Sequence, residues 1–333
     1  MSYLPEDVLI VFARTAGTLL DPYVAPIHAI INTYIPAPVH SFLIQIKASH
    51  SQSLPLMNPI DVLLIIAAYL AIVTVGMALM KNLPRQDAKW LSLYQNTTAV
   101  ALSAYMMYAI LTEAARNGYT LFANRLDESE NGVKMSKLIW LFYFSKITEF
   151  TDTFIMILKK NNRQISFLHL YHHASIFAIW WLVTYVAPGG EGYFSAAMNS
   201  FIHVVMYGYY LFTSFGVKFV SIVKPYITMM QMTQFTLMTV QATYDTYVNF
   251  NHGMWSKTQG YPLALSVILL VYMQTMLALF ANFFRQDAKR RSAEKKKTAA
   301  VAAAIDSSSS GSAGREVKNH PLEKSDSGFA KED

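Results

Sequence analysis

Seven apolar runs of about twenty residues divide most of this chain, at about 60–80, 92–113, 137–158, 164–186, 193–214, 225–245 and 262–284. A helix of that length crosses a ~30 Å hydrocarbon core. The pattern therefore predicts an all-α polytopic membrane protein with seven transmembrane helices. Residues 1–59 are mixed, with Pro5, Pro22, Pro26, Pro36, Pro38 and Pro55 punctuating what reads as short amphipathic pieces in a lumenal or interfacial segment. No basic stretch leads into a compact apolar core at the start, so no cleaved signal peptide is expected. Beyond 284 the chain turns basic, and from about 298 it becomes rich in Ala and Ser. The expected organisation is thus a segment over 1–59, a seven-helix domain over 60–284, and a basic, then disordered, cytosolic tail over 285–333.

Polar positions inside the runs are few and ordered. The third run carries Lys146, Glu149, Asp152 and Thr153; the fourth carries His169, His172 and His173. The fifth carries Asn199, His203, Met206, Tyr207 and Tyr210, and the sixth Thr228, Gln231 and Gln234. Spacings of three and four residues put each set on one helix face. Facing lipid, the three charges of the third run would cost roughly 8–10 kcal/mol at about 3 each. They are expected to face inward instead, with Lys146 paired to Glu149 one turn away. Helices three to six should then enclose a narrow, polar-lined substrate tunnel. The first, second and seventh read largely as lipid-facing or packing helices.

Charge adds an orientation. Hydrophobic residues make up 53% of the chain and charged ones 14%, with a net charge of +6. The basic residues cluster between and after the runs, which speaks against a nucleic-acid partner. Lys81, Arg85 and Lys89, then Lys159, Lys160 and Arg163, then Lys218 and Lys224, and finally the stretch opening at Arg285 all fall on one side of seven spans. The positive-inside rule makes that side cytosolic and the N-terminus lumenal. Lys331, third from the end, half-matches a dilysine retrieval signal.

The chain has no cysteine, which removes disulfides, thiolate metal sites and a cysteine nucleophile. Three function classes fit seven spans. A seven-helix receptor leaves the histidine triplet beside Lys, Glu and Asp unexplained. A histidine-box di-iron oxygenase or desaturase would use HxxHH as ligands, but only four of the nine histidines lie in spans: His169, His172, His173 and His203. A two-iron centre needs more ligands than that, so no metal is expected, although a mononuclear site stays open. The third class is acyl transfer with histidine as base or nucleophile.

In order along the chain, Lys146-x-x-Glu149-x-x-Asp152-Thr153, His169-x-x-His172-His173, Asn199-x-x-x-His203-x-x-Met206-Tyr207 and Thr228-x-x-Gln231-x-x-Gln234 resemble the motif set of the ELO family of fatty-acid elongases, over about residues 55–285. Gln164, Tyr171, the stretch Leu54–Pro59 and the segment Ile139–Lys146 look most like its fungal Δ6-type polyunsaturated branch. The resemblance implies a 3-oxoacyl-CoA synthase of the endoplasmic reticulum membrane. Such an enzyme joins acyl-CoA and malonyl-CoA to give 3-oxoacyl-CoA, CO2 and CoA, here on C18 polyunsaturated chains. Because loss of CO2 supplies the carbanion, no cofactor is needed.

With no cysteine to hold the acyl group, either both substrates react together or another residue carries it, the expected carrier then being a transient acyl-imidazole on His172 or His203. A neutral imidazole, with a reference pKa of about 6.5, is a competent nucleophile. The other of the two, with His169 and His173, would activate malonyl-CoA. Lys146, Glu149, Asp152, Asn199, Tyr207, Tyr210, Gln231 and Gln234 would orient these groups. Lys159, Lys160 and Arg163, with Lys224 and Arg285, are candidates for the mouth that holds the anionic CoA. Expected partners are membrane lipid and the reductases and dehydratase of the elongation cycle, and several copies in one assembly are compatible with the spans.

Overall fold

The computed structural model describes residues 4–217, 223–251 and 261–312. All regular structure among the described residues is helical. The helices are α1 (Pro5–Tyr34), α2 (Ala37–Ile46), α3 (Pro59–Met80), α4 (Lys89–Arg116), α5 (Val133–Leu158), α6 (Phe167–Val186), α7 (Gly192–Ser214), α8 (Lys224–Asn251) and α9 (Leu263–Ser312). The chain divides into two compact units, Met1–Ala281 and Asn282–Asp333. Helices α3 to α9 fall on the seven apolar runs. Local signals set several starts: the Asn58 side chain accepts from the Ile60 amide at 2.9 Å ahead of Pro59, and the Ser166 hydroxyl accepts from the His169 amide at 3.2 Å.

Helix α5 is the hub of the first unit, touching α1, α3, α4, α6 and α7. Its six consecutive residues Leu138 to Tyr143 are all 0% exposed, so the helix is covered on every side. Aromatic donors on α5 and α6 strap down the approach to α3. Trp140 Nε1 donates to the Pro55 carbonyl at 3.0 Å, the Tyr143 hydroxyl to the Leu56 carbonyl at 3.2 Å, and Trp181 Nε1 to the Met57 carbonyl at 3.3 Å. This gives the stretch Leu54–Pro59 a packing role.

Two expectations change. Residues 5–34 form one helix rather than short pieces, continuing through Pro22 and Pro26. Each proline removes one ladder donor, and both lie at exposed positions of the helix. Near its start α1 is anchored to the bundle by Lys137 Nζ on Asp7 Oδ1 at 2.7 Å and by the Tyr105 hydroxyl on Glu6. Further along, His28 Nε2 meets Asp61 Oδ1 at 2.8 Å.

Length and composition also do not single out the expected seven spans. By those criteria α1, α3, α4 and α9 are apolar enough to cross a membrane. Helices α5 to α8 are long enough, at 26, 20, 23 and 28 residues, but their polar rows dilute the apolar character.

Candidate active site

The polar rows of α5, α6 and α7 meet inside the bundle. Lys146 Nζ donates to Glu149 Oε1 at 2.7 Å and to Asn199 Oδ1 at 3.0 Å, and sits over the Phe142 ring at 4.1 Å. His203 Nδ1 lies 3.3 Å from the same Glu149 oxygen. One carboxylate oxygen therefore serves an ammonium and an imidazole at once. The Tyr207 hydroxyl, one turn beyond His203, donates to Asp152 Oδ2 at 2.5 Å.

The histidine box enters from the first turn of α6. His169 Nε2 meets the Thr153 hydroxyl at 2.8 Å, and Thr153 meets the Tyr69 hydroxyl at 3.0 Å. The His169 and His173 ring centres are 4.4 Å apart, and those of His172 and His173 5.5 Å. Among the described residues, His172 and His173 each keep Nδ1 buried without a hydrogen-bond partner. His172 alone of the triplet lines the central cavity, its ring set edge-on against Phe280 of α9 at 6.1 Å. The spacing i, i+3, i+4 does place the three on one side, yet each faces different surroundings. Among the described residues, no group of three or more His, Asp or Glu side chains is arranged to hold a metal ion.

The cavity lies between α6, α7, α8 and α9 and is partly open to its surroundings. His172, Asn199 and Gln234 stand at one end; Ile176, Trp180, Phe235 and Met238 form apolar walls; Gln241, Asp245 and Tyr261 lie at the other end. From His172 to Val183 the wall follows α6 for eleven residues, about 16 Å of helix rise. The shape is an elongated slot with histidine at its head.

Other candidates are spread more widely. Gln234 is buried and donates to Met238 Sδ at 3.7 Å, whereas Gln231 donates to Met206 Sδ at 3.6 Å. Tyr210 is 45% exposed, and its ring meets those of Tyr207 and Tyr209. Lys159 is committed to the Ser92 hydroxyl at 2.6 Å, while Lys160 and Arg163 are exposed beside the start of α6. Arg285 is exposed in the second unit, and the side chain of Lys224 lies outside the described residues, as do Lys218 and Lys331. Gln164 is exposed, and Tyr171 stacks on Phe167 at 5.6 Å.

The helices taken for packing or lipid-facing elements contribute more than expected. Tyr69 of α3 ends the relay to His169. Gln95 of α4 donates to the Thr148 carbonyl at 3.0 Å and hydrogen-bonds Asp152. Tyr272 of α9 meets the Ser175 hydroxyl at 3.1 Å. A phenol standing alone in a long apolar run is the sequence signal for such a residue, and Tyr69 carries it, whereas Gln95 sits in the polar stretch Gln95–Thr98.

Comparison with known proteins bears on this geometry. Residues 54–296 match the model of the ELO family, described as the GNS1/SUR4 family. Fatty acid elongase 6 of Leishmania major is 39% identical over 269 residues, 79% of this chain and 67% of that protein. Very long chain fatty acid elongase 2 of Rattus norvegicus is 35% identical over 253 residues, covering 75% and 84%. Very long chain fatty acid elongase 5 of Xenopus tropicalis is 36% identical over 234 residues, covering 68% and 75%. The site residues Lys146 to Gln234 all fall inside the matched region, and the chain belongs to the ELO family of fatty-acid elongation enzymes.

Proposed function

We propose that the protein is a 3-oxoacyl-CoA synthase that condenses an acyl-CoA with malonyl-CoA. The observation that carries this reading is the slot itself: a partnerless imidazole nitrogen of His172 at its head, apolar walls behind. An acyl chain lying along those walls brings its thioester carbonyl to His172 and His203. In the first step an imidazole nitrogen attacks that carbonyl, the carbon–sulfur bond breaks, and CoA leaves as the thiol with the imidazole proton. Malonyl-CoA then loses CO2, and its enolate carbon attacks the acyl-imidazole carbonyl. As the new carbon–carbon bond forms, the acyl–nitrogen bond breaks and the imidazole takes a proton from water, leaving 3-oxoacyl-CoA and neutral histidine. Lys146 and Asn199 stand where they can hold the malonyl oxygen as negative charge develops. Glu149 holds the His203 ring through Nδ1, which leaves its Nε2 for chemistry.

The CoA end belongs at the basic loop of Lys160 and Arg163, both free to meet phosphate. The family resemblance supports an endoplasmic reticulum protein working beside the reductases and dehydratase of the cycle, and the charge asymmetry of the loops supports a cytosolic C-terminus with the start of α3 on the lumenal side. No cofactor is required by this scheme. The likeness of Gln164, Tyr171 and the Ile139–Lys146 segment to the Δ6-type branch supports C18 polyunsaturated acyl chains as substrates. Product analysis in a host fed C16 to C22 saturated and unsaturated acids tests the reading. Polyunsaturated chains longer by two carbons are expected. Lengthening of saturated chains alone would overturn the substrate assignment, and desaturated products of unchanged length would overturn the condensing enzyme.

A further inference from the structure

The far end of the slot is polar, although an ordinary acyl chain ends in a methyl group. Glu191 is held there by three donors: the Asn124 amide, the Asn124 side chain at 3.4 Å, and Gln241 Nε2 on Oε2 at 2.8 Å. Its carboxylate therefore has a structural task, tying the turn before α7 to α8. Asp245, one turn beyond Gln241, takes a backbone hydrogen bond from Ala123 and shares a side-chain hydrogen bond with the Glu191 carboxyl. Among the described residues no further donor reaches its Oδ1, and the Tyr261 hydroxyl has no hydrogen-bond partner. Asp245 and Tyr261 are only 5% and 3% exposed, and both line the cavity. Gly190, at φ +52°, lets the Tyr261 ring approach: a Cβ at that position would stand 3.0 Å from Tyr261 Cδ2 and 3.0 Å from the Asn124 carbonyl oxygen.

Buried polar atoms without partners are costly and rare, so a pair of them in one cavity wall points to a missing group. The unused pair is an acceptor, Asp245 Oδ1, and a donor, the Tyr261 hydroxyl. A ligand hydroxyl supplies one donor and two acceptor sites, and completes both. A carboxylate would instead add a third carboxyl group beside Glu191 and Asp245 and brings no donor for Asp245 Oδ1. The slot as a whole is polar at the histidine end, apolar along about 16 Å of α6, and polar again at the floor. That sequence of surfaces matches a chain with an oxygen function at each end.

We infer that the cavity floor formed by Asp245 and Tyr261 is a binding subsite for the terminal hydroxyl of an ω-hydroxyacyl chain. The inference rests on the condensing-enzyme reading for what happens at the other end of that chain, but binding at the floor can be measured without turnover. Tyr261 donates to the ω-oxygen, and the ω-hydroxyl donates to Asp245. A methyl-ended chain long enough to touch the floor leaves both groups unsatisfied, while a shorter one leaves them to water.

The purified full-length protein in detergent supplies the test. Its affinity for ω-hydroxy, ω-methyl and ω-carboxy acyl-CoAs is measured over a ladder of matched chain lengths, alongside malonyl-CoA-dependent elongation of each. At the length that reaches the floor, the ω-hydroxy chain is expected to bind about tenfold more tightly than the ω-methyl chain, with the ω-carboxy chain weakest. The Tyr261→Phe variant loses this preference and keeps its melting temperature, because the hydroxyl it removes has no partner in the protein. Equal affinity for hydroxyl and methyl ends in the wild-type protein, as expected if the floor holds only water, overturns the inference. So does a preference that survives in Tyr261→Phe. Failure to elongate any of the chains counts against the condensing-enzyme reading, and the affinities then decide the subsite on their own.

Discussion

His203 Nδ1 and Lys146 Nζ converge on one oxygen of Glu149, at 3.3 and 2.7 Å. The carboxylate thus fixes the ring of His203 and neutralises a fully buried ammonium with the same atom. If histidine carries the chemistry, His172→Ala and His203→Ala should each lower malonyl-CoA-dependent product formation by about a hundredfold or more while the protein still folds. Glu149→Gln keeps an acceptor but loses the charge that orients His203, and is expected to fall between these variants and wild type. Near-normal turnover in either histidine variant would remove that residue from the reaction.

Lys146 and Glu149 are 2% and 6% exposed, so their pairing is not screened by water. Removing one member of a buried pair leaves an uncompensated charge, a loss of about 3–5 kcal/mol. Lys146→Ala should therefore unfold at markedly lower temperature than wild type. The double variant Lys146→Ala with Glu149→Gln should recover part of that loss, because no charge is left unpaired. Melting curves in detergent that show no recovery would mean that Lys146 stabilises the fold by packing against Phe142.

The inward faces of α5, α6 and α7 were legible from spacing alone. Three charges in one apolar run have no inexpensive place except a bundle interior, and Lys146 and Glu149 are found paired there. Helix α1 was harder to read, since two prolines four residues apart normally argue for a break and nothing in their spacing shows that the helix continues through them. Tyr69 was missed because a single polar group in an apolar helix has no periodicity, and Gln95 because nothing in the polar stretch Gln95–Thr98 marks one residue over its neighbours; the partners of both lie on another helix. The polar floor escaped for the same reason. Glu191, Asp245 and Tyr261 come from three separate stretches and become a site only when α7, α8 and α9 bring them together.

The relay from Tyr69 through Thr153 to His169 separates positioning from substrate contact. None of the three lines the slot. Thr153→Val breaks both hydrogen bonds and should reduce kcat more than Tyr69→Phe, which removes only the outer one. A single bond of about 0.5–1.5 kcal/mol corresponds to a drop of up to about tenfold in kcat for Tyr69→Phe. KM for the acyl-CoA should stay within error in both variants. A rise in KM with kcat preserved would place this relay in substrate binding instead.

Glu191, in the turn between α6 and α7, links the far end of the slot to pH. Burial raises its pKa above the ordinary glutamate value of about 4.3, and the nearby Asp245 carboxyl raises it further. An acid whose pKa is higher in the folded state binds more protons folded than unfolded between those two values. Stability should accordingly fall as pH rises from the ordinary glutamate range through neutrality, and level off above the folded pKa. Glu191→Gln cannot ionise and retains an oxygen for the Asn124 amide, so its melting temperature should depend less on pH over that window. Melting curves at a series of pH values compare the two proteins directly. Parallel curves would show that Glu191 is ionised in the folded protein throughout, and that the donors from Asn124 and Gln241 outweigh the effect of burial.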